Sequence, residues 1–212
     1  MGDTKHVVMR LKDVHCINTE DITGADDFYV AGGGGTGPES GRRHTAVLTK
    51  PIKINDNDRK QFPDAESVIF EGDVKTSDFV EVALQFFDED FNAEKDFDAK
   101  YQALTASLVA GIGTAVGAVA TPAAGAVAAA ILTATVPALA KVLDTIDKDD
   151  VLSTVEKRVA VKDLQTGRNG PWTWKLTNKN PVIHEGVPSS AQSNVPGFSD
   201  WEYAVRYEID VT

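Results

Sequence analysis

The sequence predicts a mainly β protein, an antiparallel β-sandwich into which a helical hairpin is inserted. Short runs of β-branched and aromatic residues alternate with turn-forming residues through the first hundred positions. Residues 101–140 then contain no charged side chain and include 15 alanines, a composition typical of helices. Strand-like sequence returns afterwards, and the chain ends on a period-two alternation over 201–211.

Eight segments have the composition of β-strands and are separated by turn residues, a spacing that suits an antiparallel sandwich. They are 6–11, 27–31, 43–48, 67–70, 79–87, 155–161, 172–176 and 201–211. Four consecutive glycines, 32–35, follow the second of these segments. We predict that they form a flexible hairpin loop, because the sequence after them leads to another strand and lacks the helix that a dinucleotide-binding glycine motif requires.

The charge-free stretch predicts two helices. Leu104, Leu108 and Ile112 recur at helical spacing, and a proline at 122 divides the stretch into helices at 103–121 and 123–140. The sandwich would then comprise residues 1–98 and 151–212, and the inserted hairpin residues 99–150.

A pair of glycines inside the first predicted helix indicates close packing. Gly113 and Gly117 form a small-xxx-small pair, which permits two helix backbones to approach closely.

Composition excludes several classes of function. The 212 residues carry 21 basic and 32 acidic side chains, a formal net charge of −11. This argues against a nucleic-acid partner, because binding to phosphates needs a basic face. One cysteine, Cys16, excludes an intrachain disulfide and a thiolate zinc site. No catalytic motif with a nucleophile or base is present, and we expect no enzymatic activity.

The N-terminus predicts a cytoplasmic or peripheral membrane location. The first residues contain no basic segment followed by an apolar one, so no ordinary secretory signal is visible. His6 stands where the N-myristoylation pattern requires Ser or Thr. Export by a non-classical route would leave the same N-terminus and stays open.

Two acidic clusters lie at the ends of predicted strands. The first spans 21–30 and reads Asp-Ile-Thr-Gly-Ala-Asp-Asp-Phe-Tyr-Val; the second spans 87–97 and begins Phe-Asp-Glu-Asp. Calcium takes six to eight hard oxygen ligands, which clustered carboxylates supply. Without a cation the same carboxylates repel one another. The alternative is a pair of solvated acidic loops that only add solubility.

The two clusters resemble the calcium-binding loops of C2 domains. The first is similar to the loop-one pattern D-x-x-G-x-S-D-P-Y-V, with Asp26 in place of Ser and Phe28 in place of Pro. The second is similar to the loop-three pattern D-x-D-x5-D. The resemblance implies an eight-stranded C2-like sandwich, in the circular variant whose terminal strand closes the sheet, that binds Ca²⁺ and docks on phospholipid. The implied ligands are Asp21, Asp27, Asp88, Asp90 and Asp96.

The position of the hairpin directly after loop three predicts a role at a membrane. At 1.5 Å per residue, each predicted helix is about 27–29 Å long, close to the ~30 Å hydrocarbon core of a bilayer. Charged residues flank the pair on both sides, so that it could enter lipid or form a pore. Alanine-rich helices also form tight soluble bundles. The alternative is therefore a soluble, calcium-stabilised assembly module in which the hairpin mediates homo-oligomerisation.

Overall fold

The computed structural model describes residues 3–19, 26–88, 93–120, 123–142, 151–177 and 201–212, with the backbone alone for 93–98. The strands are β1 (Thr4–Asn18), β2 (Asp26–Thr36), β3 (His44–Leu48), β4 (Ile52–Ile54), β5 (Arg59–Gln61), β6 (Val68–Lys75), β7 (Phe79–Phe87), β8 (Val151–Ala160), β9 (Gly167–Thr177) and β10 (Glu202–Val211). The helices, which follow β7, are α1 (Ala93–Ala118) and α2 (Ala126–Ala140).

The strands form two antiparallel sheets. In the first sheet β10 lies between β1 and β9, and both β5 and β6 pair with the other edge of β1. In the second sheet β2 lies between β7 and the short strands β3 and β4, and β8 pairs with the outer edge of β7. The prediction of a mainly β fold with a helical pair is confirmed.

The structure has ten strands where the sequence predicted eight. The two additional strands, β4 and β5, are three residues long each. Strands this short have no room for the alternation that identifies a strand in sequence. They flank a polar turn at 55–58, and Asn57 in this turn has a positive φ of 63°.

The core between the two sheets follows the period-two pattern of the strands. In β10 the alternate residues Tyr203, Val205 and Ile209 are buried, whereas Ala204 and Arg206 between them are half-buried. This is the pattern of a sheet with one face on the core and one toward water. The alternation predicted for the C-terminal segment is therefore confirmed.

A second apolar core lies between the second sheet and the two helices. The residues that the helical spacing singled out, Leu104, Leu108 and Ile112, are fully buried. They pack with side chains from the outer face of the sheet and from α2, which are Tyr29, Ala31, Leu48, Phe79, Ala83, Phe87, Val127, Ile131 and Leu139. The helical pair is therefore a third layer that covers the outer face of the second sheet.

The prediction of a flexible loop at the four glycines is wrong. Residues 32–35 lie within β2, a central strand of the second sheet. A Cβ atom on Gly33 would lie 2.1 Å from the Thr45 carbonyl oxygen of β3, and one on Gly35 would lie 2.8 Å from Val127 of α2. The glycines permit the close approach of a neighbouring strand and of the helical layer.

The Gly113/Gly117 pair, which permits a close approach of helices, does not lie at the contact between α1 and α2. A Cβ on Gly113 would lie 2.7 Å from the His44 imidazole on β3, and Gly117 has no atom within 4 Å of that position. The close helix–helix contact is at Gly111 instead, where a Cβ would lie 3.2 Å from the Cβ of Ala138. The glycines at 113 and 111 thus serve contacts with different layers.

Helix α1 begins at Ala93, ten residues before the predicted start at 103. The added segment contains Glu94, Lys95 and Asp98. Glu and Lys are good helix formers, and acidic residues in the first turn favour the positive end of the helix dipole. Apolar periodicity alone does not identify such a charged first turn. Helix α2 ends at Ala140, as predicted.

Candidate functional site

One end of the sandwich collects acidic side chains from three parts of the chain. Strand β1 ends here, β2 and β10 begin here, β7 ends here, and β4 and β5 are joined here. We call this region the acidic end, defined by the described carboxylates Asp26, Asp27, Asp56, Asp58 and Asp88.

Two of the five predicted calcium ligands meet at the acidic end. The backbone N–H of Asp27 donates a hydrogen bond to the carboxylate Oδ1 of Asp88 at 3.1 Å. This contact joins the first acidic cluster to the second, and Asp88 is only 5% exposed. Asp21 and Asp90 lie outside the described residues. Asp96 lies in the first turn of α1, and its side chain is also outside the described part.

Asp26 is a buried carboxylate that the loop resemblance did not single out as a ligand. It is 2% exposed and accepts a hydrogen bond from the hydroxyl of Tyr203, which is itself fully buried. Burial, and then the hydrogen bond and charge of Asp26, raise the pKa of Tyr203 above its ordinary value. A signal was present: successive side chains on a strand point to opposite faces, so one of Asp26 and Asp27 had to point inward.

Cys16 lies beside this buried pair and is fully buried. Burial, followed by the negative charges of Asp26 and Asp56, raises the pKa of the Cys16 thiol to about 12. The thiol is therefore protonated at neutral pH and a poor nucleophile.

The turn between β4 and β5 adds two further carboxylates. Asp56 accepts hydrogen bonds from the backbone N–H of Thr19 at 2.7 Å and from the Thr19 hydroxyl at 2.9 Å. The pKa of Asp58 is lowered by the backbone N–H of Asn55 and then by Lys60. Asp56 thus ties the end of β1 to this turn.

The donor chemistry of the acidic end suits a hard cation. Asp27 and Asp88 supply carboxylate oxygens, the ligands that Ca²⁺ prefers. Within the segments that the structure describes, no group of three or more His, Cys, Asp or Glu side chains is arranged to hold a metal ion. The described carboxylates therefore do not by themselves form a metal site.

The helical layer is fixed to the sandwich by a buried carboxylate. Glu81 of β7 is fully buried and lies at the N-terminus of α2. It accepts hydrogen bonds from the backbone N–H groups of Gly125 at 2.7 Å, Val127 at 3.0 Å and Ala128 at 3.1 Å. The guanidinium of Arg158 donates to the same carboxylate at 3.0 Å. A carboxylate at this position satisfies orphan N–H groups and favours the helix dipole.

Two further contacts hold α1. The Arg42 guanidinium donates to the carbonyl of Val119 at 3.0 Å, just beyond the C-terminus of the helix. Near the other end, the hydroxyl of Tyr101 donates to the carbonyl of Leu48 at 2.7 Å. The charged partners in these anchors, Glu81 and Arg42, belong to the sandwich, and the helices offer only backbone groups and one hydroxyl.

The turn between the helices lies at the end of the sandwich opposite the acidic end. Strand β2 starts at Asp26 in the acidic end and runs to Thr36. Gly35, next to its far end, contacts Val127 of α2, and Glu81 on the paired strand binds Gly125. At about 3.3 Å per residue, β2 separates the two ends by about 30 Å.

Neither of the two described helices, α1 and α2, contains a stretch both long enough and apolar enough to cross a bilayer.

Comparison with known protein families found no family whose model matches this chain, and no curated protein matches it. The resemblance to C2 loops therefore rests on the residues of the two acidic clusters.

Proposed function

We propose that this protein binds phospholipid surfaces peripherally and in a calcium-dependent manner through its acidic end. The observation that carries the proposal is the hydrogen bond from Asp27 to Asp88, which places two predicted ligands from distant parts of the chain side by side. Asp21, Asp90 and Asp96 complete the proposed ligand set. Calcium would bridge these carboxylates to lipid phosphate and reduce the repulsion between a chain of net charge −11 and an anionic bilayer.

The strand arrangement supports a C2-like sandwich. Strand β4 pairs with the same edge of β2 as β3, and β5 pairs with the same edge of β1 as β6. If each of these pairs is counted as one interrupted edge strand, both sheets are four strands wide and the sandwich has eight positions. The last strand, β10, pairs with β1, as the circular variant requires.

In the proposed complex the helical pair stays docked on the second sheet. Its turn lies about 30 Å from the acidic end, so the face that meets lipid is formed by loops of the sandwich. Entry of the hairpin into lipid, or formation of a pore, would first require it to leave Glu81 and Arg42 and to expose the apolar face that covers the sheet. Peripheral binding needs no such rearrangement.

Co-sedimentation with vesicles that contain phosphatidylserine tests the proposal. We expect pelleting in Ca²⁺ and release in EGTA, and we expect Ca²⁺ to raise the thermal midpoint of the protein without lipid. Asp88→Asn should weaken both effects. Asp163→Asn, which changes the same charge at the exposed start of the β8–β9 connection, is the matched control and should behave as wild type.

Equal pelleting in Ca²⁺ and in EGTA would refute the calcium dependence. A calcium-induced rise in thermal midpoint without any pelleting would retain the metal site and refute the membrane role.

A further inference from the structure

The outward face of the helical pair carries no charge. Its exposed residues recur at helical spacing on both helices, and we call them the helical face: Ala103, Ala106, Ala110 and Thr114 of α1, with Ala129 and Thr133 of α2. All charged residues of the chain lie outside 101–140. An outer helical layer in contact with water ordinarily carries charged side chains on this face.

The polar groups of the helical face are already hydrogen-bonded. The hydroxyl of Thr114 donates to the carbonyl of Ala110 at 2.8 Å, and the hydroxyl of Thr133 donates to the carbonyl of Ala129 at 3.0 Å. The hydroxyl donors of both threonines are therefore used within their own helix. Burial of this face leaves no threonine donor unsatisfied, so the desolvation cost is low.

The size of the helical face suits a modest protein–protein interface. The outward part of α1, 103–118, is about 24 Å long, and two helices packed about 10 Å apart present a width of about 20 Å. The footprint is about 500 Å² per molecule, or about 1,000 Å² for two molecules, the lower bound for a specific interface. Val109 of α1, 44% exposed, adds a large apolar side chain at its edge.

We propose that the helical face is the contact surface of a homodimer, in which the α1–α2 layers of two copies pack against each other. The net charge of the chain is the reason for choosing a second copy as the partner. Two copies of net charge −11 repel, and an uncharged face lets them meet with their charged residues held apart. Small side chains also permit helix backbones to approach closely.

A lipid surface fits this face less well. Helices that lie on membranes carry Trp, Phe or Leu on the apolar face and Lys or Arg around it. The helical face has alanine and threonine instead and belongs to an acidic protein. The proposed dimer is separate from the calcium-dependent binding proposed above, and it should form in EGTA.

Sedimentation equilibrium of the full chain in EGTA tests the inference across a hundredfold range of micromolar concentration. We expect the mass to rise from 22.7 kDa toward twice that value. Thr133→Glu places a charge on the helical face and should weaken the dimer at least tenfold, whereas Thr133→Val should preserve it. Thr173→Glu, on the exposed surface of β9, makes the same change elsewhere and should leave the dimer unchanged.

Circular dichroism of each variant shows whether it is folded, and Thr114→Glu repeats the test on the other helix. A wild-type mass of 22.7 kDa at every concentration refutes the inference. So does a dimer that persists unchanged in folded Thr133→Glu and Thr114→Glu. Binding of the monomeric wild type to phosphatidylcholine vesicles, lost in Thr133→Glu, would show that lipid occupies the face and would also refute it.

Discussion

Replacement of Glu81 by glutamine should loosen the helical layer. The two carboxylate oxygens of Glu81 each accept two hydrogen bonds: one oxygen serves Val127 and Ala128, and the other serves Gly125 and Arg158. The amide of glutamine replaces one of these oxygens by a donor. Arg158 is 38% exposed and can turn to water, so the less costly orientation places the amide nitrogen toward Arg158 and Gly125.

The magnitude follows from that orientation. One partly buried N–H, that of Gly125, loses its acceptor, which costs about 1–3 kcal/mol. The remaining bonds to Val127 and Ala128 lose their charge assistance, and the favourable interaction with the helix dipole disappears, for about 1 kcal/mol or more. We expect Glu81→Gln to lower the free energy of unfolding by about 2–4 kcal/mol, a range that overlaps the ~3–5 kcal/mol lost when a buried ion pair is broken.

Urea denaturation measures the loss, and hydrogen exchange locates it. Amides in the first turns of α2 should exchange faster in Glu81→Gln than in wild type, by a larger factor than amides of β1 and β10. The matched control is Glu156→Gln on the exposed surface of neighbouring β8, for which we expect a change below about 0.5 kcal/mol. A Glu81→Gln protein as stable as Glu156→Gln would refute the role assigned to Glu81.

Two further predictions concern stability. Gly35→Ala should lower the free energy of unfolding in urea by about 1–3 kcal/mol, because its Cβ would lie 2.8 Å from Val127. Gly117→Ala, in open space, should raise the free energy of unfolding by up to about 1 kcal/mol. Equal effects of the two substitutions would contradict the close contact at Gly35. Burial would raise the pKa of Asp13, but the Arg206 and Arg59 guanidiniums outweigh it and hold that pKa below its usual range. The ionised Asp13 carboxylate thus stabilises the fold fully above about pH 4, and this stabilisation is lost as the pH falls through the folded-state pKa. Asp13→Asn should cost about 2–3 kcal/mol at neutral pH and progressively less in acid; a loss that does not vary with pH would contradict this assignment.

The strands and helices that sequence reasoning located are those in which apolar residues repeat with a regular period. Segments such as 201–211 and the α1 residues Leu104, Leu108 and Ile112 supply buried side chains to the two cores. What the pattern missed lacks such a period: β4 and β5 are too short for one, and the first turn of α1 is charged. The glycines at 32–35 were not recognised as part of β2, because the local propensity of glycine predicts a flexible segment. Tertiary contacts determine which positions have no room for a side chain.

At the acidic end, sequence placed Asp27 beside Asp88 but passed over Asp26. The resemblance to a known loop pattern gave Asp26 the position of a serine, and burial gave it a different role as the acceptor for Tyr203. Asp56 was missed for a related reason. Its contact with Thr19 joins residues from different strands, and no spacing along the chain reports that proximity.

The sequence did contain evidence that the hairpin covers a sheet. This evidence is in the residue pattern of the strands rather than in the hairpin. Strand β10 alternates, as does a strand with one face in water. Strand β7, which reads Phe-Val-Glu-Val-Ala-Leu-Gln-Phe-Phe, has apolar residues on both faces, and only Gln85 in it is not buried. A strand without alternation needs a cover on its outer face, and the uncharged hairpin is the segment that supplies it. Glu81 interrupts that apolar run, and a carboxylate there is stable only with buried donors, which the N-terminus of α2 provides. Apolar helices that follow a strand of this kind are therefore better interpreted first as a layer on that strand.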